Sequence, residues 1–429
     1  MKQRNRIYFF LLFFIILFIV CSSCNLNNSR AEDVVIASIV ARGLPSTITS
    51  INLTVSGEGM ETIVESIDPS EASYTIEIPA GTGRLFELEM APSSENVFLK
   101  YTGSTTSDLI AGETADIDIS MEVSEMRLVI PDYANTTTGP RIIQIDDITG
   151  ANWQELKGTD INFASDSEFL PYDIDYDSNG RIYIANNYSS TGSTRLVRLD
   201  SFQDTAYEEI VSELDTGGSG VSCVAVDRVN NYVYYSSAFS PIRRKNLGPP
   251  LGTQETFDIL AESAVSNFST SGYSVDEDGI LYITNNMENS VIKYDPSLAE
   301  GSRVIDTYSS IELLNPWDTM IFGDYIIVSN ESGATGYRIF VLDKNMNLVN
   351  SFGTSPSGFD PITPTDNDYF GPKRFIAILN KKITVIDEGQ PDLESHDYLV
   401  QIDDIYGNGW TQYGSTGTGI GQFWLYSMH

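Results

Sequence analysis

The sequence predicts an all-β chain, on three observations. One short strand pattern recurs six times, each copy follows a partner strand, and strand-forming aromatic and β-branched residues are abundant, with 23 Tyr and 20 Phe. The copies are IIQIDD, LVRLDS, IRRKNL, VIKYDP, IFVLDK and LVQIDD, starting at residues 142, 196, 242, 291, 339 and 399, so the intervals run from 46 to 60 residues. Their partners are RLVIPD, RIYIAN, YVYYSS, LYITNN, YIIVSN and KITVID. Paired short strands repeating near every 50 residues, with turn residues between them, predict a β-propeller.

At 429 residues the chain exceeds one ordinary core, so two folded parts are expected. Residues 1–23 read as a processing signal. Lys2, Arg4 and Arg6 precede the apolar run Ile7–Val20, which is short for a membrane span. The run ends at Cys21-Ser22-Ser23-Cys24, followed by a polar tether over 24–32. This start resembles a bacterial lipoprotein signal, in which Cys24 would become the acylated N-terminus, the only membrane attachment. A plain secretory signal or an uncleaved anchor uses the same residues; each of the three puts the chain outside the cytoplasm, and the lipid-anchored reading puts it in the cell envelope, periplasmic or on the outer-membrane surface. After Cys24 only Cys223 remains, so no intramolecular disulfide is expected between folded parts.

Residues 33–124 alternate strand runs with turns. VVIASIVAR, ITSINLTVSG, SYTIEIPAG, RLFELEMA, NVFLKYTG and ADIDISMEV are punctuated by Gly57-Glu58-Gly59, Pro69-Ser70, Gly81-Thr82-Gly83 and Pro92-Ser93-Ser94. Six or seven strands at this spacing predict an immunoglobulin-like β-sandwich.

The six-bladed β-propeller is expected over 125–429. Inner strands fall in PYDIDYDSNG (171–180), VSCVAVDRVN (221–230), SGYSVDEDG (271–279), NPWDTMIFGD (315–324) and GPKRFIAILN (371–380). Asn179-Gly180, Asp278-Gly279 and Gly323-Asp324 supply the positive φ that their turns need. The first blade has no inner strand of its own. The C-terminal strand 421–429, GQFWLYSMH, is expected to complete it and close the ring. The segments 142–153 and 399–410 read as near copies in the first and last blades.

These repeats resemble those of NHL propellers. The resemblance lies in Gly414–Phe423, which leads into the closing strand through Gly-x-Phe, in SFGT (351–354) and in PYDIDYDSNGRIYIAN (171–186). That family spans ligand-binding, scaffold and enzymatic members, so the resemblance implies a fold and leaves the function open.

The formal net charge is −34, and without the three basic residues of the signal it becomes 22 − 59 = −37. Such a charge repels phosphate backbones and excludes nucleic acid as a partner. Only His396 and His429 are histidines, which disfavours a His-based catalytic triad or zinc cluster. Asp175–Gly180 matches the opening of a calcium loop, D-x-D-x-N-G, but the twelfth position is Asn186, so a hairpin turn is the plainer reading.

Asp173 and Asp318 are the sharper candidates. Each follows a Pro-aromatic pair, Pro171-Tyr172 and Pro316-Trp317, at the start of an inner strand, where a propeller lines its channel mouth. Asn187, Asn286 and Glu331 follow second strands on loops of the same face. Carboxylates so placed resemble the calcium site of six-bladed lactonases, making Ca2+ a candidate cofactor, although Asp here also suits bonding between blades. Tyr172, Trp317, Trp424 and Tyr188 would form an aromatic rim, and Trp153 and Trp410 are expected to pack blades together. Two functions follow: a lipid-anchored propeller that binds a protein or small molecule at this face, or a calcium-dependent lactonase or esterase. A structural envelope protein is the third.

Overall fold

The computed structural model describes residues 34–42, 48–68, 73–92, 99–132, 139–188, 194–212, 220–237, 240–262, 264–330, 337–354, 372–379, 382–388, 397–415, 417 and 419–423. Among these, helix is limited to three short 3-10 turns at Gly158–Ile161, Asp166–Glu168 and Ile259–Ala261. Cys24, Glu331 and residues 424–429 of the expected closing strand, Trp424 among them, lie outside the described residues. The chain divides into two compact units: residues 122–429 with the segments 43–49 and 91–101, and the rest of the N-terminal part.

The N-terminal strands are β1 (Val34–Arg42), β2 (Ile48–Ser56), β3 (Ile63–Ile67), β4 (Tyr74–Pro79), β5 (Gly81–Pro92), β6 (Leu99–Leu109), β7 (Thr114–Ser120) and β8 (Glu122–Met126). They form a three-stranded sheet, β4-β1-β7, and a five-stranded sheet, β3-β2-β5-β6-β8. Burial alternates along the strands: Val35, Ala37 and Ile39 on β1 are buried, as are Ile51, Leu53 and Val55 on β2 and Phe86, Leu88 and Met90 on β5. Period-two apolar residues thus give each sheet one dry face.

After them the chain runs through six antiparallel sheets in succession. The first has three described strands, β9 (Leu128–Asp132), β10 (Arg141–Ile145) and β11 (Gln154–Lys157). Five four-stranded sheets follow. The next two are β12 (Pro171–Tyr176), β13 (Ile182–Asn186), β14 (Thr194–Leu199), β15 (Glu208–Ser212), then β16 (Cys223–Asp227), β17 (Tyr232–Ser236), β18 (Ile242–Asn246) and β19 (Glu255–Phe257). Then come β20 (Tyr273–Val275), β21 (Leu281–Asn285), β22 (Ser290–Tyr294) and β23 (Val304–Ser309), followed by β24 (Pro316–Phe322), β25 (Tyr325–Asn330), β26 (Tyr337–Asp343) and β27 (Leu348–Thr354). The last is β28 (Pro372–Leu379), β29 (Lys382–Glu388), β30 (Asp397–Ile402) and β31 (Thr411–Tyr413). The recurring pattern falls on β10, β14, β18, β22, β26 and β30, as its spacing predicts.

The first two strands of a sheet lose the period of two in places: every residue of β13, β16 and β21 is buried, whereas no residue of β23 on the outside is. A strand sandwiched between neighbouring sheets has no wet face, so its sequence reads as a continuous apolar run. From the second sheet to the last, each shares a core with the next, and β9 of the first sheet lies against β12 of the second. Tyr183, Leu196 and Val211 pack with Val224, Val233 and Tyr235; Tyr282 and Val291 pack with Ile326, Val328 and Phe340; Ile327 and Val341 pack with Val385 and Val400. Ile386 and Leu399 of the last sheet join Leu128, Ile130, Ile143 and Ile145 of the first, with Phe423 completely buried among them. The sheets therefore close on themselves, and this part of the chain is a β-propeller. The hairpin glycines behave as their turns require, with φ of 75° at Gly180, 79° at Gly279 and 58° at Gly323.

Candidate functional site

Three inner strands open with proline, then any residue, then a charge: Pro171-Tyr172-Asp173, Pro316-Trp317-Asp318 and Pro372-Lys373-Arg374. Proline suits the first position of a strand, where no ladder N–H is missed. In each strand the register then slips. Pro171 faces Asn186 but Asp173 faces Ala185; Pro316 faces Asn330 but Asp318 faces Ser329; Pro372 faces Asp387 but Phe375 faces Val385. Such a bulge redirects the side chains beside it, and all three charged groups are buried among neighbouring sheets.

Each carboxylate fastens its own sheet to the next. Asp173 Oδ1 accepts from Ile174 N–H at 3.0 Å, and its Oδ2 accepts from Val224 N–H on β16 at 2.9 Å. Asp318 repeats the device: Oδ1 accepts from Thr319 N–H at 2.8 Å and Oδ2 from Phe375 N–H on β28 at 3.0 Å. Asp175 adds a second rung, its Oδ2 accepting from Val226 N–H at 2.7 Å.

Arg374 is the residue that sequence reasoning missed. Its Nη1 lies 3.2 Å from Asp173 Oδ2, and its Nη2 donates to the Ser222 carbonyl at 3.1 Å. Its guanidinium carbon sits 4.6 Å from the centre of the Tyr172 ring. The sheet that begins at β28 is separated from that of β12 by the first sheet, so this side chain reaches across the middle of the ring. The signal was the shared Pro-x-charged opening, which a search for acidic candidates alone passes over.

Two carboxylates and one guanidinium share a dry space. Burial raises the Asp173 carboxyl to about 6 against the pull of Arg374. Asp318 is raised well above the carboxylate range, by burial first and then by the charge of Asp173. Burial also pushes the Cys223 thiol up to about 12, so it is a neutral packing group at neutral pH. Gly272 makes room for this cluster. A Cβ there would lie 2.0 Å from Asp318 Oδ1 and 2.9 Å from its Cα. Gly272→Ala is expected to cost about 1–3 kcal/mol or more through overpacking, read as a lowered urea midpoint.

The remaining candidates fall in different places. Tyr172 is half-buried beneath Arg374. Trp317 is buried instead of forming a rim, its carbonyl accepting from Thr284 Oγ1 at 3.2 Å, because the bulge turns it inward. Tyr188 is half-buried. Asn187 is also half-buried, and its N–H donates to the Leu170 carbonyl at 2.9 Å. Asn286 donates to Ser271 Oγ at 3.2 Å and Asn315 Oδ1 at 2.9 Å, apart from the Asp173 cluster. The residue before each of these two has the structural task. Asn186 Oδ1 accepts from Leu170 N–H at 2.6 Å, and Asn285 Nδ2 donates to the Asn267 carbonyl at 2.8 Å, so both hold the loop entering their sheet.

The match to a calcium loop is a hairpin turn: Asp177 Oδ1 accepts from the N–H groups of Asn179 and Arg181 at 2.9 and 3.0 Å. Calcium asks for six to eight oxygens around one point. The oxygens of Asp173 and Asp318 are turned onto backbone N–H groups and lie beside a fixed guanidinium, a set that does not fit a divalent cation. Among the described residues no group of three or more His, Cys, Asp or Glu could hold a metal. Trp153 packs 5.3 Å from Phe423, and Trp410 meets Phe352 edge-on at 6.2 Å, both serving cores between sheets.

No family model matches this chain, and no curated protein matches it. Solved structures of β-propeller proteins do. Sqt1 from Chaetomium thermophilum, solved bound to the N-terminus of ribosomal protein L10, is 11% identical with a TM-score of 0.40, over 83% of this chain and 95% of that one. Virginiamycin B lyase from Staphylococcus aureus is 12% identical with a TM-score of 0.40, over 70% and 87%. A Bacteroides thetaiotaomicron protein of unknown function is 12% identical with a TM-score of 0.41, over 83% and 96%. The propeller assignment itself rests on the sheets and shared cores of this chain.

Proposed function

We propose that this chain is a lipid-anchored protein of the cell envelope whose propeller binds a protein or small-molecule ligand at the face where the inner strands begin. The observation that carries the reading is the tie across the centre of the ring. Arg374 spans it, and the carboxylates around it are committed to N–H groups of neighbouring strands, so these charges serve the fold. What this face offers a ligand is its rim, including Tyr172, Asn187 and Asn286. Six successive sheets support a six-bladed ring, and the one-faced burial of the two N-terminal sheets supports a sandwich that acts as a spacer. The basic start, the apolar run and Cys24 support acylation.

Three measurements test this. Metabolic labelling with palmitate is expected to mark the chain and to fail with Cys24→Ala, which should leave the membrane fraction; labelling that survives the substitution overturns the anchor. For recognition, the immobilised chain is compared with a Tyr172→Ala/Asn187→Ala/Asn286→Ala variant against envelope extract and small-molecule sets. A ligand recovered by the first and lost by the second is expected, and identical recovery overturns the rim reading. Calcium titration is expected to give no saturable heat. Saturable heat abolished by Asp173→Ala/Asp318→Ala would replace this function with that of a calcium-dependent hydrolase.

A further inference from the structure

We propose that Met287, Ile311 and Leu314 form a docking surface for a protein segment that carries aliphatic side chains beside Lys or Arg. This rests on the reading of the inner-strand face as the recognition face, and it names the partner's chemistry. The three residues lie on two loops of that face: Asn286–Asn289 follows β21, and Ser310–Asn315 leads into β24. They are 57%, 94% and 42% exposed, and Ile311 is the most exposed large hydrophobic residue among those described. Exposed hydrophobic residues standing singly need no explanation, but a group on joined loops does.

The loops hold this group in place. Asn286 Nδ2 donates to Asn315 Oδ1 at 2.9 Å, and Asn315 N–H donates to Asn289 Oδ1 at 2.8 Å, so the neighbours of Met287 and Leu314 are tied together. Ser310 Oγ accepts from the N–H groups of Glu312 and Leu313 at 3.1 and 3.2 Å, which fixes the turn. Leu313 is completely buried, packed with Tyr282, Val291, Val328 and Phe340. With Leu313 pinned inward, Ile311 and Leu314 on either side are left facing water, in positions ordered before a partner arrives. Pre-ordered side chains lose less conformational entropy on binding.

Charge selects the partner. Residues 286–289 and 310–315 contain Glu288 and Glu312 and no Lys or Arg, within a chain of formal charge −34; Glu288 Oε1 already accepts from Ser266 and Asn267 N–H at 2.9 Å, so Glu312 is the acid open to a partner. Glu312 is exposed beside Ile311. Acidic segments are repelled from this surface, while a segment mixing aliphatic and cationic residues meets complementary chemistry at both.

The test is selection of random displayed peptides on the full chain. Enriched peptides are expected to combine aliphatic residues with Lys or Arg. They should bind at least about tenfold more weakly to Met287→Ser/Ile311→Ser/Leu314→Ser, whose changes are on exposed side chains. A Val64→Ser/Ile420→Ser control, which removes exposed aliphatic residues elsewhere, should keep wild-type affinity, and Glu312→Lys should weaken binding of the same peptides. Peptides that lack either residue type, or no enriched peptide at all, overturn the proposal. If affinity survives the triple substitution but is lost with Tyr172→Ala/Asn187→Ala, the docking surface is wrong while the recognition face stands. If both variants bind as the wild type does, both readings fail.

Discussion

Replacing Arg374 with alanine is expected to destabilise the propeller by about 3–5 kcal/mol at pH 7, because a buried ion pair loses its cation and strands the carboxylates it faced. The Ser222 carbonyl and the Tyr172 ring lose their partner in the same change. The cost should depend on pH. The folded-state Asp173 carboxyl titrates at about 6, above its ordinary 3.8, and Asp318 is raised as well. A carboxyl raised on folding contributes stability that is fully present below its unfolded value and lost as pH rises through the folded one. Removing Arg374 takes away the charge that pulls both groups down, so the loss above pH 6 deepens. Urea unfolding at pH 4 and pH 7 should therefore show a small difference between variant and wild type at the lower pH and a large one at the higher. Equal differences at both would show that Arg374 acts by packing alone. Lysine should not restore the wild type, since an ammonium cannot reach Asp173 and the Ser222 carbonyl together while lying flat on Tyr172.

Phe423→Ala should cost a comparable about 3–5 kcal/mol. The ring is completely buried among Leu128, Ile130, Ile143 and Ile145 of the first sheet and Ile386 and Leu399 of the last. It also meets Trp153 and Tyr413 at 5.3 and 6.1 Å. The Gln422 carbonyl beside it accepts from Arg141 Nη2 at 3.1 Å, a second tie between the chain's end and the first sheet. A single domain is stable by only about 5–15 kcal/mol, so a loss of this size should appear as a large drop in the urea midpoint. A midpoint within 0.5 kcal/mol of wild type, the ordinary range for a surface change, would mean that this segment does not close the ring.

Most of the architecture was legible because it is local. The recurring strand pattern, its partner strands and the hairpin glycines are set by neighbours within ten residues, and the structure places them where spacing predicts. Asp173 and Asp318 were legible for the same reason: proline marks the strand start, and the charge stands two residues on. Asn187 and Asn286 each follow an asparagine that sequence reasoning passed over, Asn186 and Asn285. A strand alternates faces with each residue, so a shift of one exchanges an inward side chain for an outward one. The side chains that reach back to hold the incoming loops are Asn186 and Asn285.

Arg374 shows what only the tertiary structure decided. In sequence, Lys373-Arg374 is an ordinary basic pair on a strand, 374 − 173 = 201 residues from Asp173. Ring closure brings the last sheet round to the first and sets this side chain opposite β12 and β16. The bulge after Pro372 and the dry surroundings then decide that the acids face a guanidinium and backbone N–H groups. By itself the sequence determined the strands, the turns and which positions carry charge, because those depend on residue type and short-range spacing. Which charges meet, and whether water reaches them, depended on closing the ring, because burial and partnership are properties of residues far apart in the chain.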